Sequence, residues 1–472
     1  MPETPNFRRP GVALLLAVLF AAGMTYYHLG LFLPCMMERR AAQGLGGGYS
    51  FGNDFYPIWL TAREATLAHR NPYSPEMTRE IQTGIFGHSF DGRNPADPPR
   101  EYRAFAYPAY VDLMFWPLAW LPFPAVRVVL AIAFAVLTAL SIPLWLRALG
   151  IRAGPVPLAA VILFALSSYA VLEGLFAVQV GLLVGFLLAA SFWALAKNKL
   201  ALAGSLFAFT LIKPQVSAVV AVYLLLWSFS RWRERRRFTN TFLAWSALLG
   251  YLSLLAWRDW IPQWLHVLAG YGNYAPPPLI TYSLGPRFGP MLGPPLIIVL
   301  LAAALILIWR MRKASAASPE FMLTVSLLLA LTSVTLLPGQ AVYDHVILLP
   351  GILLTAWTWR RVTASSRAFA MVLAAGALAL FWQWMAAIPL LVIRYFLTPA
   401  KFFSASVLLL PFHAAASVPL AVAAVLGYMM WQSMRGKSLP TEKEMPVPAA
   451  ATRRSYEGEA TRKSYEDENS AL

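Results

Sequence analysis

Residues 200–237 read LALAGSLFAFTLIKPQVSAVVAVYLLLWSFSRWRERRR and decide how the rest of the chain is interpreted. Apolar runs lie on both sides of Lys213-Pro214-Gln215, and the segment ends in a cluster of arginines. Apolar runs span a bilayer as helices, whereas short loops rich in lysine or arginine stay cytoplasmic. A single long span would bury Lys213 midway, which costs about 2.5–3.5 kcal/mol on insertion scales. We therefore predict two short helices that meet at Lys213 and cross the membrane twice.

The composition of the whole chain also indicates a membrane protein. Of 472 residues, 58% are hydrophobic and 13% are charged, and the mean hydropathy is +0.58. So few charges cannot form the surface of a soluble protein of this size, so the solvent is a bilayer. The net charge of +16 comes from basic residues dispersed at the ends of apolar runs, which argues against a nucleic-acid-binding face. The single cysteine, Cys35, excludes an internal disulfide.

The basic clusters set the predicted topology. All of them are cytoplasmic together only if an even number of spans separates neighbouring clusters. This condition predicts an all-α polytopic membrane protein of about twelve transmembrane helices with both termini cytoplasmic. We predict one multi-spanning domain over residues 1–436 and a disordered, charged cytoplasmic tail over residues 437–472. The spans are predicted near residues 11–33, 124–146, 156–175, 176–196, 200–212, 214–230, 238–256, 289–309, 320–337, 344–359, 368–391 and 405–431.

A long extracytoplasmic loop is predicted over residues 34–123, and loops of this length usually carry function. Asp54 opens a helical pattern of apolar residues that ends at Arg70-Asn71-Pro72. A second apolar element, residues 107–118, is interrupted by prolines, which suits an interfacial piece. We expect both elements to lie on the membrane surface, with polar loop over residues 84–103 between them.

Polar residues at the outer ends of the predicted spans form the candidate site. Under the predicted topology, Asp54, Gln179, Lys213, Asp344 and His345 all face the extracytoplasmic side. Polar groups at membrane depth are costly and tend to mark substrate sites. A carboxylate, a histidine and cations beside aromatic residues suit an anionic, lipid-linked substrate.

At these residues the chain resembles glycosyltransferase family 87, a group of membrane enzymes of the GT-C fold. The resemblance implies a GT-C-type helical bundle in the cell (inner) membrane and a polyprenyl-phosphate-sugar-dependent hexosyltransferase similar to mannosyltransferases. The chain departs from the family pattern at Ala109, where a second proline is usual, at Val178, where a glycine is usual, and in the looser motif before His345. The matching stretches lie within residues 11–360 and are Asn53-Asp54-Phe55-Tyr56-Pro57 with Asn71-Pro72-Tyr73, Tyr107-Pro108 with Trp116-Pro117-Leu118-Ala119, Gln179-Val180-Gly181-Leu182-Leu183, Lys213-Pro214, and Tyr343-Asp344-His345.

The resemblance and the chemistry together suggest roles. We assign Asp54 as the general base that activates an acceptor hydroxyl, and Lys213 and His345 as ligands of the donor phosphate. The expected reaction moves a sugar, mannose above all, from a polyprenyl-phosphate donor to an extracytoplasmic glycolipid or polysaccharide, with inversion. We expect no cofactor, and no metal because the sequence lacks an Asp-x-Asp pair. The further residues assigned to substrate binding are Gln179, Asp344, Tyr56 and Tyr107.

Each assignment has a structural alternative. Asp54 suits a helix N-cap, and Lys213 suits a lysine that reaches from a short helix to the lipid headgroups. His345 suits an interfacial histidine, and Gln179 suits a hydrogen bond between two helices. For the whole protein, the main alternative is a transporter or flippase of a lipid-linked saccharide, which commonly shows internal repeats that this sequence lacks. A non-catalytic subunit is the third interpretation, and it predicts that Asp54 and Lys213 tolerate replacement.

Overall fold

The computed structural model describes residues 10–42, 49–90, 103–271, 275–365, 367–398, 401 and 406–435. Within these residues the chain forms helices and no β-strand. Six described helices are long and apolar enough to cross a membrane, or seven if one bent pair counts as a single span, and four shorter apolar helices accompany them. The prediction of an all-α polytopic membrane protein is confirmed, whereas the count of about twelve spans stays a prediction. The predicted tail lies outside the described residues.

The described α-helices are numbered in chain order. They are α1 (Pro10–Tyr27), α2 (Leu33–Ala42), α3 (Tyr56–Ala68), α4 (Pro75–Phe86), α5 (Tyr110–Phe115), α6 (Phe123–Ala148), α7 (Pro155–Leu166), α8 (Tyr169–Ala177), α9 (Gly181–Ala196), α10 (Leu200–Phe209), α11 (Pro214–Ser230), α12 (Trp232–Ala256), α13 (Trp260–Tyr271), α14 (Leu279–Phe288), α15 (Gly293–Met311), α16 (Pro319–Thr335), α17 (Leu349–Ser365), α18 (Arg367–Ile393) and α19 (Leu410–Met434).

The first helix runs further than the predicted span of residues 11–33. α1 continues through a π-helix, His28–Phe32, into α2, so the helical segment ends at Ala42. Pro34 lacks the N–H that would bond the carbonyl of Gly30, and the wider π-turn just before it allows the helix to continue. The sequence prediction ended the span at this proline, whereas the structure passes through it.

The segment from α7 to α9 is divided differently from the predicted pair of spans near 156–175 and 176–196. α7 and α8 meet at a bend of 58°, and α9 begins only at Gly181. The backbone N–H of Tyr169, just after the bend, donates to Oε1 of Gln383 on α18 at 2.8 Å. Val178 has a left-handed φ of 53° and ends α8. Gln179 therefore lies in a turn between α8 and α9 and belongs to neither helix.

The predicted break at Lys213 is present in the structure. α10 ends in a 3₁₀ turn, Thr210–Ile212, and α11 begins at Pro214. Proline suits the first position of a helix because its missing N–H has no intrahelical partner there. Lys213 lies between the two helices with φ −130° and ψ 74°, outside helical geometry. The break brings Lys213 to the same end of the bundle as the turn before α9.

The long loop carries the two predicted helical elements and one that the sequence analysis missed. α3 closely matches the pattern that opens at Asp54, and α5 with a 3₁₀ turn occupies the second element. α4 was not predicted, and it extends into the expected polar loop from Gly84. Ser74 caps α4 by accepting the N–H of Met77 at 3.1 Å, and Pro75 occupies its first turn. This Ser-Pro start was a readable helix signal.

α16 and α9 are the two most extensively buried helices that the structure describes. Every residue from Phe321 to Thr335 is buried. The hydroxyls of Thr332 and Ser333 donate to carbonyls four residues earlier, which satisfies polar atoms inside an apolar core. α9 packs against α6 and α10, while α16 packs against α11, α15 and α19. A 3₁₀ helix, Val342–Leu348, follows α16 and packs on α8 and α9.

Candidate active site

Five side chains from distant parts of the sequence form one hydrogen-bonded chain at one end of the bundle. Arg103 Nη1 lies 2.5 Å from Asp54 Oδ1, and Gln179 Nε2 donates to Asp54 Oδ2 at 2.6 Å. Lys213 Nζ donates to Gln179 Oε1 at 3.2 Å and to the two oxygens of Asp344 at 2.7 and 2.8 Å. The structure thus brings together four of the residues that the sequence analysis selected, namely Asp54, Gln179, Lys213 and Asp344.

The two ends of this chain differ in burial. The side chains of Arg103 and Asp54 are 26% and 14% exposed, whereas those of Lys213 and Asp344 are 7% and 1% exposed. The ammonium of Lys213 also lies 4.8 Å from the ring centroid of Tyr343. A buried ion pair depends on both partners, because removal of either leaves an uncompensated charge. The Asp54 end is the more exposed part of the hydrogen-bonded chain.

The Asp54 carboxylate belongs to a turn, residues 49–55, that is docked on the end of α8. Tyr49 Oη donates to the carboxylate of Glu173 at 2.8 Å, and the N–H of Gly52 donates to the carbonyl of Phe176 at 2.8 Å. Gly52 has φ 83°, a conformation that favours glycine. Glu173 and Phe176 are three residues apart and share one face of α8, and Gln179 follows three residues later. The stretch from Glu173 to Gln179 therefore anchors the turn and also contacts the Asp54 carboxylate, through Gln179.

The N-cap alternative for Asp54 does not match the structure. α3 begins at Tyr56, and its N-cap residue is Phe55. The oxygens of Asp54 contact Arg103 and Gln179 instead of backbone N–H groups at the start of the helix. Asp54 is therefore held by side chains that come from other segments, as expected of a group in a binding site.

Gly181 allows the close approach of the buried ion pair to α9. A Cβ atom at this position would collide with Oδ1 of Asp344 and would lie 3.7 Å from Nζ of Lys213. Gly181 is also the first residue of α9, where backbone N–H groups without intrahelical partners favour a negative charge. The glycine therefore places a carboxylate, a cation and a helix N-terminus within contact of one another.

Tyrosines lie around the exposed end of the chain. The charge of Asp54 acts on Tyr107 and on Tyr271, the last residue of α13. Burial raises the pKa of Tyr107 well above its ordinary value, and the negative charge of Asp54 raises it further. Desolvation and the charge of Asp54 also raise the pKa of Tyr271, whose side chain is partly exposed. Both hydroxyls therefore stay protonated at neutral pH and can donate hydrogen bonds to a substrate.

Tyr56 and His345 do not join the hydrogen-bonded chain. The hydroxyl of Tyr56 packs against Gly84 of α4, and its ring meets Phe123 edge-on at 4.9 Å. His345 is buried and faces the backbone of Ala415 on α19. The assignments of these two residues to the substrate stay predictions that this geometry does not support.

The sequence analysis missed three ionisable groups near Asp54. Arg103 was left out because it was interpreted as a solvated or lipid-facing charge, whereas the structure pairs it with Asp54. Glu173 accepts from Tyr49, and Nε2 of His28 lies 3.4 Å from the same carboxylate. Both residues interrupt apolar runs, and a lone ionisable group at membrane depth is itself a functional signal. That signal was present in the sequence for Glu173 and His28.

No group of three or more histidine, cysteine or acidic side chains suited to a metal ion occurs among the residues that the structure describes. The expectation of a metal-free reaction stays a prediction. The hydrogen-bonded chain provides the partly exposed carboxylate of Asp54 and the cations of Arg103 and Lys213. Together these groups suit proton removal beside an anionic group.

Residues 105–338, about half of the chain, match the family model described as Glycosyltransferase family 87. The chain belongs to glycosyltransferase family 87. The matched range of this family 87 glycosyltransferase contains Tyr107, Gln179 and Lys213, while Asp54 and Asp344 lie outside it. The structure joins these two carboxylates to the matched residues through Gln179 and Lys213. No curated protein and no solved structure matches the chain. The protein is a membrane glycosyltransferase, and the hydrogen-bonded chain is its candidate active site.

Proposed function

We propose that this glycosyltransferase moves a sugar, mannose above all, from a polyprenyl-phosphate donor to an extracytoplasmic glycolipid or polysaccharide. The observation that supports the proposal is the amide of Gln179, which contacts the Asp54 carboxylate with one end and the Lys213 ammonium with the other. Transfer from a lipid phosphate needs a base for the acceptor and a positive charge for the leaving phosphate. The site holds both groups one amide apart.

In the proposed reaction the acceptor hydroxyl oxygen attacks the anomeric carbon of the donor while Asp54 takes the hydroxyl proton. The bond between the anomeric carbon and the phosphate oxygen breaks, and both of its electrons leave with the polyprenyl phosphate. Lys213 stabilises the negative charge that the phosphate gains. Because attack and departure are in line on opposite faces of the carbon, the anomeric configuration inverts.

Arg103 is better placed than His345 to be the second cation of the reaction. In the structure Arg103 pairs with Asp54, so each neutralises the other. We propose that Arg103 moves to the donor phosphate when the donor binds. The move leaves the Asp54 carboxylate able to take a proton, and a guanidinium offers a phosphate two parallel hydrogen bonds.

The length and direction of α11 support the proposal that the site is extracytoplasmic. Lys213 adjoins the first residue of α11, and Arg231 directly follows its last. The 17 residues of α11 correspond to roughly 26 Å, about the thickness of a hydrocarbon core. The positive-inside rule assigns the arginines that follow α11 to the cytoplasm, so Lys213 faces the other compartment. The same rule supports the inner membrane topology with cytoplasmic termini.

The test is transfer of radiolabelled mannose from polyprenyl-phosphate-mannose in membranes that contain the wild type, Asp54→Asn or Asp259→Asn at equal folded amounts. Asp259 is exposed and outside the site, so its variant is the matched control. We expect Asp54→Asn to lose about 10²–10⁴-fold in rate, the range for loss of a general base, and Asp259→Asn to retain activity. Equal transfer by all three proteins would remove Asp54 from the chemistry.

Two additions to this experiment test the rest of the proposal. Replacing the donor by polyprenyl-phosphate-glucose or polyprenyl-phosphate-arabinose measures the preference for mannose. Treatment with EDTA is expected to leave the rate unchanged. Absence of transfer from every lipid-phosphate donor, with folded protein and membrane acceptors present, would contradict the proposed donor class.

A further inference from the structure

A cavity lies between α3, α5 and the end of α12, away from the Asp54–Lys213 chain. Its volume is about 200 Å³. Its lining combines the indole rings of Trp116 and Trp257 with the polar side chains of Asp112, Thr66 and His69. None of these residues takes part in the transfer proposed above, so the cavity needs its own explanation.

Asp112 is the lining residue whose hydrogen bonding indicates a ligand in the cavity. Its side chain is buried, with 2% exposure, and its Oδ1 accepts the hydroxyl of Thr61 at 2.8 Å. Its Oδ2 is also buried and makes no hydrogen bond with any residue that the structure describes. Buried polar atoms in native proteins are nearly always paired, so an unpaired one needs a reason. A ligand in the adjoining cavity supplies that reason.

The burial of Asp112 indicates what kind of ligand fits. Burial raises the pKa of the Asp112 carboxyl well above its ordinary value, and the hydrogen bond from Thr61 offsets only part of that rise. Burial thus favours the uncharged carboxyl, which offers a hydrogen-bond donor without a negative charge. A neutral partner with hydroxyl oxygens matches this group better than an ammonium ion does.

The rest of the lining fits the two-sided chemistry of a sugar ring. A pyranose carries C–H groups on one face and hydroxyls around its rim. The indole of Trp116, which is 50% exposed, and that of Trp257 provide aromatic surface for the C–H face. Asp112, Thr66 and His69 provide hydrogen-bonding groups for the rim. A lipid acyl chain would use only the indoles.

The distance from the base indicates which sugar of a substrate would bind there. Asp54 adjoins the start of α3, whereas Thr66 and His69 lie at its C-terminal end. The intervening 12–15 residues correspond to roughly 18–22 Å at a rise of 1.5 Å per residue. Asp112 bonds to Thr61, which is seven residues or roughly 10 Å from Asp54 along the helix. A single sugar unit does not reach from the base to the far lining residues, so an occupant that fills the cavity is a later unit of a linked acceptor.

We propose that this cavity is a distal acceptor subsite that binds a sugar unit several positions away from the reacting hydroxyl. This inference rests on the proposed function, because the occupant belongs to a glycan acceptor. It makes the enzyme selective for long acceptors. Short acceptors end before the cavity and gain nothing from it.

The test measures binding to the full-length protein carrying Asp54→Asn, which stops turnover. Titration calorimetry with linear tetrasaccharides of mannose, glucose and arabinose, and with the corresponding monosaccharides, gives the affinities without any transfer. Trp116→Ala is compared with Trp382→Ala, a matched control because Trp382 is 42% exposed on α18 and does not line the cavity. We expect Trp116→Ala to weaken tetrasaccharide binding about tenfold, or about 1.4 kcal/mol, and Trp382→Ala to leave it unchanged. Asp112→Asn, which keeps a donor, is expected to bind nearly as well as Asp112.

The outcomes separate this inference from the proposed function. Tetrasaccharide binding that depends on Trp116, with no transfer from any lipid-phosphate donor, would support the subsite and overturn only the proposed reaction. Equal affinity for monosaccharides and tetrasaccharides, equal loss with Trp116→Ala and Trp382→Ala, or no binding of any tetrasaccharide would overturn the subsite. Binding of choline chloride that Trp116→Ala abolishes, without saccharide binding, would identify an ammonium site and contradict the proposal.

Discussion

Asp54 and Asp344 belong to one hydrogen-bonded chain, but they differ in burial and in their basic partners. Asp54 pairs with Arg103 in a partly exposed turn, whereas Asp344 holds Lys213 with both oxygens at 1% exposure. Both are aspartates with a basic partner, so residue type does not distinguish them. Burial distinguishes them, because the buried ammonium of Lys213 needs the ionised Asp344 carboxylate as its counter-charge. In the proposed reaction Asp54 exchanges a proton with the substrate, and Asp344 keeps the cation in place.

The largest effect should appear in stability, where the two carboxylates should differ most. Asp344→Asn leaves Lys213 buried and unpaired and is expected to lower the free energy of unfolding by about 3–5 kcal/mol. Asp54→Asn affects a more exposed pair and should cost about 1 kcal/mol or less. Thermal unfolding of both variants in the same detergent measures the difference. Similar losses in both would remove the distinction between the two ends.

Removing both members of the buried pair sharpens the comparison. Lys213→Met combined with Asp344→Leu leaves no unpaired charge, so it should recover most of the stability that Asp344→Asn loses. Transfer should still be lost, because the cation for the leaving phosphate is gone. Unfolding temperature and label transfer are measured on the same preparation. A stable double variant that retains transfer would show that Lys213 has only a structural role.

Gly181→Ala tests how finely the buried end is positioned. The added Cβ collides with Asp344, and a displacement of about 1 Å in an active site can lower the rate about 100-fold. We expect a loss of that order with a smaller change in unfolding temperature. Gly427→Ala in α19 is the matched control, because a Cβ there meets nothing within 4 Å. Unchanged transfer by Gly181→Ala would mean that the pair can shift without consequence.

The smallest effect should come from the anchor of the Asp54 turn. Tyr49→Phe removes a hydrogen bond to Glu173, and one such bond contributes about 0.5–1.5 kcal/mol. The expected result is a loss of kcat of about tenfold or less with an unchanged KM for the donor. Tyr251→Phe, at a position 58% exposed, is the control.

A double variant tests whether Tyr49 and Glu173 act through each other. If they do, Tyr49→Phe with Glu173→Ala loses no more kcat than the stronger single variant, because the shared contact is removed only once. Additive losses would show that Glu173 acts on the site by another route, for example through His28.

Burial and chain position explain which parts of the site were predictable. The parity of the basic clusters required a break at Lys213, and the structure has it there. Tyr56 was selected within the same matching stretch as Asp54, but as the first residue of α3 it packs on α4. His345 was selected beside Asp344, but successive residues of a 3₁₀ helix point about 120° apart. Neighbours in sequence therefore do not share a site where helical geometry points their side chains in different directions.

The pairings themselves were beyond the sequence. Arg103 meets Asp54 because the turn 49–55 is docked on α8, and that docking depends on a tertiary contact with Glu173. Asp112 gave no sign of burial, because it lies in a short element rich in aromatic residues that also suits a membrane surface. Composition, apolar runs and charge parity determine the class of fold, whereas side-chain partners depend on how the ends of the helices meet.

The separation of Lys213 from Asp344 along the chain has a consequence for biosynthesis. The two residues are 131 positions apart, with α11 to α16 between them. At roughly 5–20 residues per second, the ribosome makes the lysine about 7–26 s before it makes the aspartate. The α10–α11 hairpin therefore enters the bilayer while its lysine still lacks a counter-ion. The ion pair can form only after the helices that follow α11 have been made and have packed against the earlier helices.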